Sequence, residues 1–497
     1  MKKILIYLSI ILGTLLITSC DFSDDVQDIQ TQSGSADFTT YVALGNSLSA
    51  GFQDGALYKE GQINSYPAMI AQGMELSYEF TQPLMADDLG GIPMIGVPNK
   101  RILAKTANGL FPVTAEGTGA TTIANIYNDG PYYNLAVPGA KVAHLLAPGY
   151  GNPVNLLTGT ANPYYVRFAS TTNSSVIEDA LKLNPTFFSL WIGNNDILGF
   201  ATSGGDGSEP MTAEIAFAQY YEMLVQKLTA NGAKGVVANI PFVSSIPFFN
   251  TVPNNALALD AETAQSLTSF FAAVQGIFTQ VLMGQGVPAE QAQALASQYG
   301  IAFTEGENRF LIQTEKTQAN PLGFRQMSED ELLLLTIDQT AMKTEGYGSV
   351  SLSAEVMAVL GKLGAGQQLS PEEAQKVLDA VNPIHDKDAL DVEELALIKN
   401  STDAFNTTIK NIAEINELAL FDANALMQDL ATNGLHIKGV SYNSTFVTGG
   451  VFSLDGIHPN QRGYGIIANG FIKAINKKYD ANLPEVDPNK YKGIEYP

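Results

Sequence analysis

Thr39-Thr40-Tyr41-Val42-Ala43-Leu44-Gly45-Asn46-Ser47-Leu48-Ser49-Ala50-Gly51 decides the reading of this chain. The apolar run at 41–44 has the length of a short buried strand, and Gly45 stops it. Ser47 then stands where a helix would begin. On a tight strand-to-helix turn, a serine presents its hydroxyl, and its N–H lies at a helix end that favours an oxyanion. Serine is equally a preferred helix cap, and taken alone the stretch favours the cap. Only partners elsewhere in the chain can make Ser47 chemical.

Continuous apolar runs of the same kind recur. Residues 132–137 end at Pro138-Gly139, residues 187–192 end at Gly193, and residues 236–240 end at Pro241. Such runs suit central strands of a parallel sheet, covered on both faces. Helical spacing between them (Phe217, Tyr220, Tyr221, Leu224, Leu228) gives a βαβ rhythm, so the expected class is α/β. Residues 54–131, rich in Gly, Pro and Asn, form an irregular excursion with one helix near 66–74. The rhythm breaks over 251–399, which is rich in Ala, Gln, Glu and Leu. This segment reads as an inserted helical subdomain, with a strong helix start at Ser370-Pro371-Glu372-Glu373. A helix at 402–417, a strand at 418–421 and a helix at 463–478 resume the pattern, and 479–497 reads as a polar tail. Beyond the N-terminal run, no second candidate membrane span is expected.

Lys2 and Lys3 precede an apolar run over 4–17 and then Thr18-Ser19-Cys20. A basic head, a short apolar middle and small residues describe an export signal rather than a membrane span. The Leu16-Ile17-Thr18-Ser19-Cys20 ending resembles a bacterial lipobox, which implies lipidation of Cys20. Cys20 is the only cysteine, so no internal disulfide is expected. Residues 21–36 carry Asp21, Asp24, Asp25 and Asp28 among small polar residues and read as a flexible tether. The expected organisation is a signal at 1–20, the tether at 21–36, an α/β domain split into 37–250 and 400–478, the insertion at 251–399, and the tail at 479–497. The location expected is the cell envelope, as a lipoprotein of a Gram-negative outer membrane, anchored to the membrane through its N-terminus.

A formal net charge of -23 over 497 residues argues against nucleic acid as a partner. No zinc-type histidine pair and no glycine-bearing calcium loop appears, and no metal or cofactor is expected. Serine needs a base to take its proton. Of the four histidines, His458 has the most informative setting, Asp455-Gly456-Ile457-His458-Pro459. A carboxylate three residues ahead, across a glycine, can reach back to Nδ1 and hold the ring's tautomer. The segment alone also fits a surface-loop histidine. His385 stands beside Asp386 and Asp388 in what reads as a solvated loop, and His144 and His436 read as packing or surface residues. Gly139 and Asn195 follow the ends of apolar runs and offer a backbone and a side-chain N–H to an oxyanion; taken alone, Gly139 reads more readily as a turn and Asn195 as part of a helix cap.

Together, Gly45-Asn46-Ser47-Leu48, Gly139, Gly193-Asn194-Asn195-Asp196 and Asp455-Gly456-Ile457-His458-Pro459 resemble, in order, the motifs of the SGNH hydrolases, the GDSL-type esterases and lipases. The resemblance covers residues 39–250 and 400–478. It implies a three-layer α/β/α sandwich with a mostly parallel sheet. It also implies Ser47 as nucleophile and oxyanion donor, Gly139 and Asn195 as further donors, His458 as base and Asp455 as its orienter. The implied substrate is an ester, either a lipid or an acylated glycan. The family usually has Asp where this chain has Asn46. Both long excursions leave from carboxyl ends of strands, so they are expected to cap the site, with Phe248, Phe249, Phe270 and Phe271 as lining residues or as core of the insertion.

Overall fold

The structure, a computed structural model, describes residues 31–106 and 109–497. Its central sheet has four regular strands: β1 (Tyr41–Gly45), β2 (Phe187–Trp191), β3 (Lys234–Ala238) and β4 (Ala419–Phe421), in that spatial order and all parallel. Tyr41 faces Phe187 and Gly45 faces Trp191 in the β1–β2 register. The strand expected at 132–137 is reduced to one parallel bridge between Asn134 and Ala43. Three backbone bonds nevertheless run along β1: Ala43 N to Tyr133 O, Leu135 N to Ala43 O, and Val137 N to Gly45 O. Pro138 has no N–H to extend this pairing. Counting this irregular edge, chain order 2-1-3-4-5 describes the sheet, so the winding reverses between β1 and β2. In such open sheets the crevice beyond the carboxyl ends at that reversal is where ligands bind.

Alternation along β1 explains the three layers. Val42 and Leu44 point to one face, with Phe188, Leu190 and Val237, and meet α4 (Glu214–Thr229) and α5 (Val392–Ile415) through Phe217, Tyr221, Phe405 and Ile409. Tyr41 and Ala43 point to the other face, with Phe187 and Trp191. They meet α2 (Tyr66–Gly73), α6 (Ala423–Thr432) and α7 (Gln461–Tyr479) through Tyr66, Met427, Tyr464 and Phe471. Each large apolar side chain buried this way stabilises the sandwich by roughly 1.5–3 kcal/mol.

The segment 251–399 is not purely helical. Beside helices at Ala261–Gly284, Ala289–Ala296, Ala354–Gly364 and Pro371–Asp379 it holds antiparallel pairs of two- and three-residue strands, too short to leave a periodic signal. It has its own core, which contains Phe270 and Phe271, whereas Phe248 and Phe249 belong to the α/β core. The helix Ala261–Gly284 has the length and hydropathy of a membrane span, which the sequence reading did not single out. Its face of Leu267, Phe270, Phe271, Val274 and Phe278 is buried in that core. α5 runs unbroken across residue 400, so the chain re-enters the sandwich inside a helix. The tail is docked rather than loose: Leu483 is buried, and Leu483 N and Val486 N donate to Asn476 and Asn469 of α7. The described end of the tether also docks, with Ser35 N donating to Tyr479 O and Asn482 N to Gln32 O. Cys20, the signal and residues 21–30 of the tether lie outside the described residues.

Candidate active site

Gly45 ends β1 where a Cβ would stand 2.5 Å from the Trp191 carbonyl oxygen, so only glycine lets the two chains close up here. Asn46, not Ser47, caps the short helix α1 (Ser47–Ala50): its Oδ1 accepts from Leu48 N at 3.0 Å. That leaves the Ser47 hydroxyl free of capping duty. Asn46 is fully buried, and its Nδ2 donates to Asn194 Oδ1 at 3.1 Å. An aspartate could accept from Leu48 N, but it could not donate to Asn194. The Asn46 amide therefore ties the first motif to the third.

Ser47 Oγ lies 2.8 Å from His458 Nε2, and His458 Nδ1 lies 2.9 Å from Asp455 Oδ2. His458 sits in the loop before α7, whose start Asn460 caps by accepting from Gly463 N. Asp455 Oδ1 accepts from Ile457 N, His458 N and Ser453 Oγ; Oδ2 also accepts from Gly55 N. Burial alone would raise its pKa. The opposing charge and hydrogen bond of His458, with the two loop N–H groups, hold the carboxyl down to about 2. Asp455 is thus a fixed anion, suited to orienting an imidazole and stabilising its protonated form. Phe52 packs on the His458 ring with centroids 4.7 Å apart.

Gly139 lies in a turn closed by Ala140 N and Val137 O, at φ +79°, where residues with a Cβ are strained. Its N–H has no acceptor among the described residues. Asn195 opens α3 (Asn195–Thr202) and donates one Nδ2 hydrogen to Ala140 O at 3.0 Å. The next residue, Asp196, accepts from Val142 N and Thr212 Oγ1, and burial raises its carboxyl to about 6 despite those bonds. Asn195 and Asp196 thereby pin the chain just after Gly139, and Asn162 Nδ2, which donates to Pro138 O at 2.8 Å, holds the side before it. Ser47, His458, Asn195, Asn194 and Asn46 open onto one pocket with an apolar interior. Gly139 is exposed beside Ala140 and does not line it, and neither does any residue of 251–399. The insertion instead braces the 453–458 loop through Phe248: Leu335 N donates to Phe248 O, and Phe248 N donates to Gly456 O. His385 and His144 lie elsewhere, against Tyr347 and Tyr150.

A second set of residues was not found from the sequence. Asp54 N donates to Ser453 Oγ, Leu454 N donates to Asp54 Oδ1, and Tyr58 OH donates to Asp54 Oδ2. With the Gly55 N bond to Asp455, the 53–55 turn clamps the Asp455 loop across 400 residues of chain. The only signal was the Asp54-Gly55 pair, which reads as a turn and nothing more. Burial raises the Asp54 carboxyl and the nearby Asp455 adds to this, while the Leu454 N and Tyr58 bonds oppose it. Misplacing a catalytic group by about 1 Å costs about 10²-fold. Asp54→Ala is therefore expected to lower kcat roughly 10–100-fold with KM little changed. Asp54→Asn, which keeps the acceptor for Leu454 N, should restore most of it. An alanine variant turning over at the wild-type rate would remove the clamp's role.

No protein-family model and no curated protein matches the chain. Among solved structures, LAE5, an alpha/beta hydrolase enzyme from the metagenome of Lake Arreo, Spain, aligns with a TM-score of 0.33 and 8% identity, over 89% of this chain and 96% of that one. A mutant of Axe2, an acetyl-xylooligosaccharide esterase from Geobacillus Stearmophilus, aligns with a TM-score of 0.32 and 9% identity, again over 89% and 96%. At scores this low the likeness carries no argument, and the function is argued from the site alone.

Proposed function

We propose that this chain is a serine hydrolase of carboxylic esters, of the SGNH kind that its motifs resemble. The observation that carries the reading is the unbroken line from Ser47 Oγ through the His458 ring to Asp455, opening onto an apolar pocket. Ser47 Oγ attacks the ester carbonyl carbon while His458 Nε2 takes the hydroxyl proton. The oxyanion is met by the N–H groups of Ser47 and Gly139 and the free N–H of Asn195. Each such donor is worth about 2.7–4 kcal/mol in the barrier. Collapse breaks the bond to the alcohol oxygen, which receives the proton from Nε2. Water, deprotonated by the same nitrogen, then attacks the acyl-serine and releases the acid. A site that only bound ligand would have no use for this proton path.

The test is labelling by a fluorophosphonate probe, mapped by mass spectrometry. Modification of Ser47, absent from a Ser47→Ala chain, is the expected result. An unlabelled chain would sink the proposal. The proposal includes an envelope location through lipidation of Cys20, supported by the Lys2-Lys3 head and the Leu16 to Cys20 ending. Palmitate incorporation that persists in Cys20→Ser would remove that part.

A further inference from the structure

The pocket behind Ser47 is narrow, with about 50 Å³ of free interior. A dry cavity of about 150 Å³ takes one benzene, six heavy atoms, so a third of that volume takes roughly two. We propose that the site accepts esters of short, unbranched, uncharged acyl groups, acetyl and propionyl, and excludes the acyl chains of membrane lipids. This deepens the esterase reading and rests on it.

The walls are apolar and held from behind. Trp191 is buried at the end of β2, and its Nε1 donates to Asn239 O at 3.0 Å. Ile240, just past β3, donates from N to Asn406 Oδ1, and its carbonyl accepts from Asn406 Nδ2 and Asn424 Nδ2. Phe452 is packed into the core beneath α7. These bonds and contacts tie both strand ends, so the pocket cannot widen there without stranding buried polar groups. Met427 of α6, the only methionine in the lining, has the longest unbranched side chain closing the space. Its polar lining is the three asparagine amides and the Ser47/His458 pair, with no lysine or arginine. A carboxylate on the acyl chain would be buried without a salt-bridge partner from lysine or arginine, which is costly.

The measurement is kcat/KM on p-nitrophenyl acetate, propionate, butyrate, hexanoate and octanoate. The expected wild-type profile falls at least about ten-fold between propionate and hexanoate, since a tight apolar site rejects each surplus methylene with roughly this force. Met427→Ala removes three side-chain heavy atoms and should raise the hexanoate-to-acetate ratio at least about ten-fold, by the same selectivity per methylene. A wild-type profile that is flat or rises toward octanoate, with Ser47 still labelled by fluorophosphonate, overturns the acyl limit and leaves the esterase reading standing. No turnover of any ester together with no labelling removes both.

Discussion

A chain carrying Ser47→Ala is expected to keep its fold and lose ester turnover by about 10⁶-fold in kcat, the scale seen when a triad nucleophile is removed. The size of the effect follows from the site. Ser47 Oγ is the hydroxyl that meets His458 Nε2, and no second serine among the described residues stands on that ring to replace it. Little stability should go with it. The substitution deletes one hydroxyl that caps nothing, because Asn46 Oδ1 holds the helix start and an alanine at this position would keep the backbone N–H in place. Hydrolysis of p-nitrophenyl acetate, followed beside a thermal melt, separates the two effects. A variant that turns over normally with an unchanged melt would remove Ser47 as the nucleophile.

Asp455→Asn should cost about 10⁴-fold in kcat, less than the loss of the nucleophile, because the oxyanion donors and the serine remain. The carboxylate makes five contacts at once: the ring of His458, three backbone N–H groups and Ser453 Oγ. An amide can keep the Oδ1 acceptor for the loop N–H groups. Its NH₂ would then face Gly55 N–H, donor against donor, and would force the other tautomer on the ring. The acid limb of stability supplies a second readout. The folded carboxyl keeps its charge down to about pH 2, whereas an unfolded one keeps it only to about 3.9. The stability it supplies is therefore complete above the unfolded value and is lost as the pH falls toward the folded one. In the asparagine variant this part of the acid dependence should vanish. An unchanged rate and an unchanged acid melt would show that the bond between Asp455 and His458 is not used.

The sheet was legible because its strands are buried on both faces and read as unbroken apolar runs, from Tyr41–Gly45 to Phe187–Trp191. The edge at 133–137 shares that composition, yet it pairs on one side only and ends at a proline, so it never becomes a regular strand. The paired strands of the insertion are set by contacts within their own subdomain and are too short for any period to appear. At the site, the motif residues could be proposed only as a set, since each alone fits a cap, a turn or a surface loop; within the set, short spacings such as that from Asp455 to His458 are local. Asn46 as cap, its amide on Asn194, and Asp54 on the Leu454 backbone were not legible. The two long-range bonds depend on segments meeting from 148 to 400 residues away, and the sequence carries only the donors and acceptors, not their meeting.

The docking of residues 31–36 against the end of α7 fixes where the tether leaves the fold. Ser35 sits by Tyr479, whose hydroxyl bonds Gly235 at the start of β3, and Lys234 Nζ reaches Ser35 O. The chain therefore enters at the amino-terminal edge of the sheet. Ser47, Asn195 and the pocket lie past the opposite edge, a strand length of roughly 16 Å away. With a lipid on Cys20, the attachment point would lie at the opposite end of the sheet from the mouth of the pocket. Attached at that end, the enzyme would keep its mouth clear of its own tether, open to soluble or polymer-borne esters.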